Sequence, residues 1–334
     1  MSVITTPILA RIPQLRPLNI LTDLPLVADL VESCFAGTLD PEGYRYIQQM
    51  RRAGNDSYFM RWAANAMDTV SMPLSGYVWE ENHEVVGNVS LVPFKRGGKK
   101  VYLIANVAVR PDYRRKGIGR ALTMSAMQHT RQRHAQATWL HVRDDNPGAV
   151  RLYASLGFRE RARRTLWQAA PDRSLGPLGA GTMITSRKTR DWLQQEAWLR
   201  QLYPDILAWY QPIPWLSLRP GLGPSLYRFF LEYETRQWAA RLDEGQLLGV
   251  LAWQPTMEHA DRLWAAAPLD GGEGALTALL LHARHTLSWQ KNLTLEMPAG
   301  QAQEAIQAAG FKPVRTLIWM QADETLLPES RKSQ

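Results

Sequence analysis

The stretch that decides the fold is Asn106-Val107-Ala108-Val109-Arg110-Pro111-Asp112-Tyr113-Arg114-Arg115-Lys116-Gly117-Ile118-Gly119-Arg120-Ala121-Leu122. A strongly β-prone run from Tyr102 to Val109 ends in a basic turn, and from Gly119 onward the apolar residues follow helical spacing. Gly117 and Gly119 remove side chains where a ligand would approach the backbone. Amides at the start of a helix attract an anion. The sequence therefore predicts a strand–turn–helix unit that binds a pyrophosphate.

Four positive side chains surround this predicted site: Arg114, Arg115, Lys116 and Arg120. The turn differs from the two common nucleotide-binding loops. A P-loop requires a Lys-Ser or Lys-Thr pair after its last glycine, whereas Arg120-Ala121 follows here. A dinucleotide fingerprint requires a third glycine and an acidic residue about twenty positions later. The pattern favours neither of these folds.

A second motif follows, with the sequence Asn146-Pro147-Gly148-Ala149-Val150-Arg151-Leu152-Tyr153-Ala154-Ser155-Leu156-Gly157-Phe158. The ordered pair of motifs resembles the GCN5-related N-acetyltransferase (GNAT) family. The first family signature, Arg/Gln-x-x-Gly-x-Gly/Ala, is present as Arg114-x-x-Gly117-x-Gly119, and the second is Asn-x-x-Ala-x-x-Leu-Tyr-x-x-x-Gly-Phe. The resemblance covers about residues 10–168, and a final hairpin is expected after Gly157-Phe158.

The resemblance implies that the fourth and fifth strands splay apart and that acetyl-CoA lies in the opening. Backbone groups of Val107, Ala108 and Val109 would hold the acetyl-pantetheine arm, and Asn146 would contact the pantetheine. Tyr153 would protonate the departing CoA thiolate as a general acid. No metal is implied. The turn would bind the pyrophosphate through these residues: Arg114, Arg115, Lys116, Gly117, Ile118, Gly119 and Arg120.

The acceptor amine loses a proton before it attacks, so a base is needed. Histone-directed members of the family place a glutamate on the fourth strand, where this chain has Leu103. The segment Leu140-His141-Val142-Arg143 resembles the Leu-Glu-Val-Arg of the branch that acetylates protein N-termini. His141 is therefore a candidate base, with an ordinary imidazole pKa of about 6.5. A strand histidine held by a neighbour is the structural alternative, and Glu80 and Glu81 are the alternative bases.

The C-terminal half repeats the order of strands and helices and ends a helix with Gly310-Phe311, as the first half does with Gly157-Phe158. The fold class expected is α/β, with two tandem GNAT-like domains, each a mixed, mostly antiparallel sheet flanked by helices. We expect a catalytic, acetyl-CoA-binding domain at 10–168 and a degenerate copy at 182–323. A linker rich in Pro, Gly, Ala and Ser separates them at about 169–181.

The second copy is predicted to have lost the chemistry of the first. Aligned on the Gly-Phe pairs, it lacks the arginine, asparagine and tyrosine of the motifs and places carboxylates where the pyrophosphate would lie. The residues responsible are Leu269, Asp270, Glu273, Ala299 and Ile306.

The charge of the chain is asymmetric. Residues 1–168 contain 23 Lys+Arg and 14 Asp+Glu, whereas residues 169–334 contain 16 and 17. The excess predicts a polyanionic partner for the first half, and both nucleic acid and a phosphorylated cofactor qualify. No helix-turn-helix, RNP-type or zinc pattern supports nucleic acid. No apolar stretch is long enough for a membrane span and no secretory signal is recognisable, so a cytoplasmic address is expected.

The function expected from the sequence is transfer of an acetyl group from acetyl-CoA to a primary amine, by direct attack in a ternary complex. The acceptor is left open between a small-molecule amine and a peptide amine, and no oligomeric state is assigned. The alternative is a regulatory module that binds acetyl-CoA without catalysis. Retention of Asn146 and Tyr153 favours the enzyme.

Overall fold

The computed structural model describes residues 12–55, 73–174, 182–221, 235–242, 245–268, 270–289 and 291–323. Leu269 and residues 175–181 of the expected linker lie outside these ranges. The chain divides into two compact units. The first contains the residues up to Ala162 and those from Ile318 onward, and the second contains Arg163–Leu317.

The first unit is a mixed sheet with helices on both faces. Its strand order is β1-β2-β3-β4-β5-β12-β6, in which β4 and β5 are parallel and the pairs from β1 to β4 are antiparallel. Its elements are β1 Leu15–Pro17, α1 Ile20–Phe35, α2 Pro41–Asn55, β2 Ser75–Glu81, β3 Glu84–Arg96, β4 Lys99–Val109, α3 Ile118–Gln132, β5 Ala137–Arg143, α4 Pro147–Ser155, the start of β6 Phe158–Ala169 and the end of β12 Lys312–Ala322.

Side-chain alternation assigns the two faces of this sheet to different cores. Leu140 and Val142 on β5 join a core with α3 and α4, to which α3 contributes Leu122 and Ala126 at four-residue spacing. His141 lies between these two β5 residues and therefore points to the opposite face. The helices α1 and α2 supply the core on that opposite face. The sheet thus separates a cofactor-motif side from an α1–α2 side.

The second unit repeats this plan, which confirms the predicted tandem fold. Its strand order is β12-β6-β11-β10-β9-β8-β7, with β10 and β11 parallel. None of the described helices has the length and apolarity needed to cross a bilayer. Its elements are the end of β6, β7 Met183–Ser186, α5 Trp192–Leu202, α6 Trp215–Leu218, β8 Arg236–Leu242, β9 Gln246–Gln254, β10 Ala260–Ala266, α7 Glu273–Thr286, β11 Asn292–Pro298, α8 Gln303–Ala308 and the start of β12.

The hairpin expected after Gly157-Phe158 is wrong. The segment is one continuous strand, β6, because no glycine or proline interrupts it to make a turn. In the first unit the strand beside β5 is β12, and in the second unit the strand beside β11 is β6. From the sequence we expect each of these strands to lie within one domain, at 10–168 or at 182–323. The compact units instead divide both strands.

This strand exchange predicts that Ile318→Ala weakens the first unit, although residue 318 lies within the second copy expected from the sequence. Ile318 is buried in the core formed with α3 and α4. Truncation of a buried Ile typically costs about 2–5 kcal/mol. Hydrogen exchange should show lost protection at the β5 amides. The matched control is Val314→Ala, a half-buried residue of the same strand that belongs to the second unit. Unchanged β5 protection in Ile318→Ala would refute the assignment.

Candidate active site

The site begins where two parallel strands separate. β4 and β5 pair only from Val101 to Ile104 on β4, opposite Ala137 to Leu140 on β5. Both strands continue further, β4 to Val109 and β5 to Arg143, without pairing to each other. This register confirms the splay that the family resemblance implied. Beyond Ile104, β4 pairs with no described strand on the side of the opening, so backbone groups on that edge can bind a ligand.

A bulge on β4 coincides with this separation. The β3–β4 register shifts between Asn88 and Ser90, so that Val89 lies opposite two residues, Asn106 and Val107. Asn106 has a φ of 51°, in the left-handed region that asparagine tolerates better than most residues. Bulges bend a strand and change the direction of its groups. Here the bulge marks the point at which β4 leaves β5.

The three β4 residues assigned to the acetyl-pantetheine arm follow this bulge. Ala108 is buried in the core with α1 and α2, whereas Val107 and Val109 pack partly against the core with α3 and α4. The Val109 carbonyl accepts hydrogen bonds from Arg114 Nε at 3.0 Å and from Cys34 Sγ at 3.4 Å. The end of β4 is therefore held from both faces of the sheet.

The turn after β4 presents a row of unpaired donors. Among the described residues, no acceptor takes a hydrogen bond from the six amides of residues 115–120. Gly117 precedes α3 with a φ of 83° and Arg115 has a φ of 65°, so the chain folds back before the helix begins. The first amides of a helix have no intrahelical partner, and the helix dipole adds partial positive charge there. This arrangement can bind a phosphate or pyrophosphate.

Positive side chains lie around these amides, as predicted. Within the described part of the chain, none of the four forms an ion pair with a carboxylate: Arg114, Arg115, Lys116 and Arg120. Arg120 instead donates to Ser155 Oγ on α4 at 2.7 Å, and the Lys116 ammonium lies 4.6 Å from the centre of the Tyr113 ring. All four side chains are exposed, so they can attract an anionic ligand.

The second motif places its asparagine and tyrosine at opposite ends of α4. Asn146 caps the helix, because its Oδ1 accepts from the Ala149 amide at 3.1 Å. Tyr153 is buried with its ring edge toward Phe158, at 6.1 Å between ring centres. Burial raises the pKa of the Tyr153 phenol above its ordinary value, because the phenolate would lose solvation. Tyr153 therefore keeps its proton throughout the physiological pH range.

His141 lies on the α1–α2 side of β5, half-buried against a tryptophan of the last strand. The His141 and Trp319 ring centres are 4.9 Å apart, with the planes inclined at 59°. Burial lowers the pKa of His141 to about 4, because the imidazolium would be desolvated. The ordinary imidazole pKa expected from the sequence is therefore wrong. The physical reason is burial among residues that are distant in sequence, of which the Trp319 ring packs against the imidazole.

The other candidate bases are bonded elsewhere. Glu80 accepts from Arg16 Nε at 2.7 Å, and Glu81 accepts from the Trp79 indole at 3.1 Å. Both lie on β2, which β3 and β4 separate from β5. Leu103, at the place of the histone-type glutamate, is buried. Among the described residues, no three His, Cys, Asp or Glu side chains are grouped to hold a metal ion.

The second unit has a similar strand separation, but protein groups fill it. β10 and β11 pair from Ala260 to Leu263, and β10 continues to Ala266 without a register shift against β9. The hydroxyl of Tyr203, which follows α5, accepts from the Ala265 amide at 3.2 Å. The cavity nearby holds only about 10 Å³, roughly one water. Glu273 begins α7 and lines this cavity.

The position of His141 is occupied in the second unit by a paired carboxylate. The strand registers match Leu140 with Leu295, and therefore His141 with Glu296. Glu296 forms an ion pair with Arg164, whose guanidinium also donates to the Leu202 carbonyl at 2.8 Å. Arg164 is buried, unlike the exposed arginines that precede it on β6. Sequence alternation alone gives no signal for this burial.

We predict that Trp319→Ala raises the pKa of His141 from about 4 toward 6.5. Water reaching the ring stabilises the imidazolium, so protonation becomes easier and the pKa rises. An NMR titration of the histidine ring protons measures this directly. Trp289→Ala, which removes an exposed tryptophan of the second unit, is the control and should leave the titration unchanged. A value still near 4 in Trp319→Ala would show that another group desolvates the ring.

Part of this chain is similar in sequence to known proteins. Residues 27–158 match the Acetyltransferase (GNAT) family. Over 67 residues, 20% of this chain and 45% of the relative, the chain is 42% identical to the ribosomal protein bS18-alanine N-acetyltransferase of Escherichia coli (strain K12). Over 112 residues, 34% of this chain and 35% of the relative, it is 30% identical to a mycothiol acetyltransferase of Saccharomonospora viridis. The chain thus spans less than half the length of these curated relatives.

The fold is shared more widely than the sequence. A crystal structure of a GCN5-related N-acetyltransferase from Sphaerobacter thermophilus superposes with a TM-score of 0.54 at 14% identity, covering 92% of this chain and 95% of that one. The family match spans the splayed strands, the basic turn and α4. We conclude that residues 27–158 form a domain of the Acetyltransferase (GNAT) family.

Proposed function

We propose that this protein transfers an acetyl group from acetyl-CoA to a primary amine in the opening between β4 and β5. The observation that supports this most directly is the row of unpaired amides at residues 115–120, at the end of that opening. The amides and the basic side chains fit a pyrophosphate. The β4 edge at Val107–Val109, which pairs with no described strand on the side of the opening, fits an extended chain that carries amide groups, and Asn146 at the start of α4 would contact it.

Acetyl-CoA supplies a thioester, in which the acetyl carbon is already activated toward an amine. The new C–N bond forms as the C–S bond breaks, the amine loses one proton, and the CoA sulfur gains one. Holding both reactants in line lowers the barrier without a covalent acyl-enzyme. Tyr153, protonated because it is buried, would donate its hydrogen to the sulfur.

His141 would be the group nearest the amine on the α1–α2 side. With a pKa near 4 it is uncharged at neutral pH, so it accepts rather than donates a hydrogen bond to the amine through an unprotonated ring nitrogen. Such a weak base holds the proton only transiently, and the proton then passes to solvent. Activity should therefore show no loss attributable to His141 between pH 8 and pH 6, because its ionisation lies well below that range.

The acceptor is proposed to be a peptide α-amine or a small-molecule amine. One relative is named for acetylation of an alanine of a ribosomal protein, and another for mycothiol. The similarity to both relatives leaves both acceptor classes open. A CoA-release assay with N-terminal alanyl peptides, polyamines and amino sugars would distinguish them. Acetyl-CoA binding without CoA release across such a panel would support the regulatory alternative.

We further propose one acetyl-CoA site per chain. In the second unit, Tyr203 already bonds the Ala265 amide on the strand that would bind the ligand, and Glu273 would repel a pyrophosphate. Ile306 is buried in place of a tyrosine. This unit would then stabilise the fold and contribute β12 to the first unit.

Gly119→Glu should abolish detectable acetyl-CoA binding. A Cβ at Gly119 makes only ordinary contacts, the nearest at 3.5 Å to Leu152, so the chain should still fold. The carboxylate, however, would lie among the amides that face the pyrophosphate. The matched control is Gly274→Glu, at the second residue of α7 in the other unit, which has open space around it. Calorimetry should show one site in wild type and in Gly274→Glu; two wild-type sites would contradict the proposal.

Tyr153→Phe should lower turnover by about a hundredfold or more while leaving acetyl-CoA affinity within about twofold. The change removes a proton donor and keeps the ring that packs against Phe158. Tyr44→Phe, which removes an exposed hydroxyl from α2, is the control. Steady-state kinetics and calorimetry separate the two effects. Turnover within about threefold of wild type would show that Tyr153 is not the general acid.

A further inference from the structure

Four polar side chains meet at the β4 bulge, on the α1–α2 side of the sheet. Asn88 Nδ2 donates to the Asn106 carbonyl at 2.9 Å and to Ser90 Oγ at 3.2 Å. Asn106 Nδ2 donates to Tyr46 Oη on α2 at 2.7 Å and to Ser90 Oγ at 3.3 Å. Asn88 is 0% exposed and Ser90 is 1% exposed. We refer to Asn88, Ser90, Asn106 and Tyr46 as the bulge network.

The bulge network occupies a position where apolar residues would give a more stable sheet. Ala108, which lies opposite Asn88 on β4 and on the same face of the sheet, is buried and apolar. Among the described residues, none donates a hydrogen bond to the buried Asn88 Oδ1. A buried acceptor without a partner destabilises the fold, because it has lost its hydrogen bonds to water. The left-handed conformation of Asn106 adds a further cost. Sites where such costs accumulate are often functional.

Asn88 replaces the backbone bond that the bulge removes. In a regular ladder, each β4 carbonyl that faces β3 would accept from a β3 amide, but the register shift between Asn88 and Ser90 breaks that pairing. The Asn88 amide reaches across and satisfies the Asn106 carbonyl instead. The extra residue is thereby held in one conformation. The next residue is Val107, which lies on the part of β4 that no longer pairs with β5.

We propose that Asn88 is a positioning residue, which locks the β4 bulge through the Asn106 carbonyl and so aims the backbone from Val107 onward at the acetyl thioester. The inference rests on the proposed function of the same site. It assigns to Asn88 no contact with substrate. The Asn106 carbonyl is bonded to Asn88 on β3. The Asn106 side chain is bonded to Tyr46 and so connects the bulge to α2.

The test compares acetyl-CoA with CoA, which lacks the acetyl carbonyl. Because Asn88 acts on the backbone that faces the thioester, Asn88→Ala should weaken acetyl-CoA binding about tenfold and CoA binding less than about twofold. A tenfold change corresponds to the loss of one well-placed hydrogen bond. Isothermal calorimetry on the full chain gives both dissociation constants. A general loss of stability would instead weaken both ligands in the same proportion.

The matched control is Thr138→Val. It removes the buried 2.8 Å hydrogen bond between Thr138 and Thr130 in the same unit, away from the bulge. It should destabilise the fold to a similar extent and leave the ratio of the two dissociation constants unchanged. Thermal melts of both variants measure whether the stability losses match.

A second pair of variants keeps the proposal testable if Asn88→Ala does not fold. Asn106→Gly permits the positive φ and keeps the carbonyl, so the preference for acetyl-CoA over CoA should survive the loss of the contact with Tyr46. Asn106→Ala disfavours that φ, so the preference should fall. Equal preference in the two variants would overturn the proposal.

The remaining outcomes separate this inference from the proposed function. Wild type that binds neither ligand would refute the proposed function itself. Wild type that binds both ligands equally, or an Asn88→Ala variant that weakens both in proportion, would refute the positioning role and leave the cofactor site standing.

Discussion

The architecture of the candidate site depends on one constraint, which is that β4 and β5 stay paired for only four residues. The parallel ladder ends at Ile104 and Leu140, and the β4 bulge begins two residues later at Asn106. From Val101 to Ile104 on β4 the two strands are paired in the sheet. After Ile104 they leave an opening, and β4 pairs with no described strand on that side. The basic turn and the α3 amides lie at the end of this edge, so a ligand that binds both must lie along β4.

The two units share the separation of strands and differ in the groups beside it. Both have a four-residue parallel pairing followed by divergence. In the second unit, the Tyr203 hydroxyl accepts from the Ala265 amide. Glu296, at the position of His141, forms an ion pair with the buried Arg164. A buried pair of this kind is costly to break by removing one partner. The second unit therefore has a paired carboxylate where the first has an imidazole.

The compact units divide both β6 and β12. Each unit receives the strand beside its fifth-strand equivalent from the other half of the sequence. The exchange also supplies Trp319 to the ring of His141. Trp319, which the sequence assigns to the second copy, thereby packs against a candidate catalytic group of the first unit.

The sequence by itself determined the features whose causes are local. The turn from Arg114 to Arg120, the opening of α3 and the tandem order of elements follow from glycine positions, periodicity and charge within short windows. Tertiary structure decided the features that need partners distant in the chain. The burial of Arg164, the pKa of His141 and the bracing of Asn106 by Asn88 and Tyr46 depend on strand order and register. Packing and backbone hydrogen bonding bring these residues together with their partners. The partners are too distant in the chain to lie in one short window of sequence.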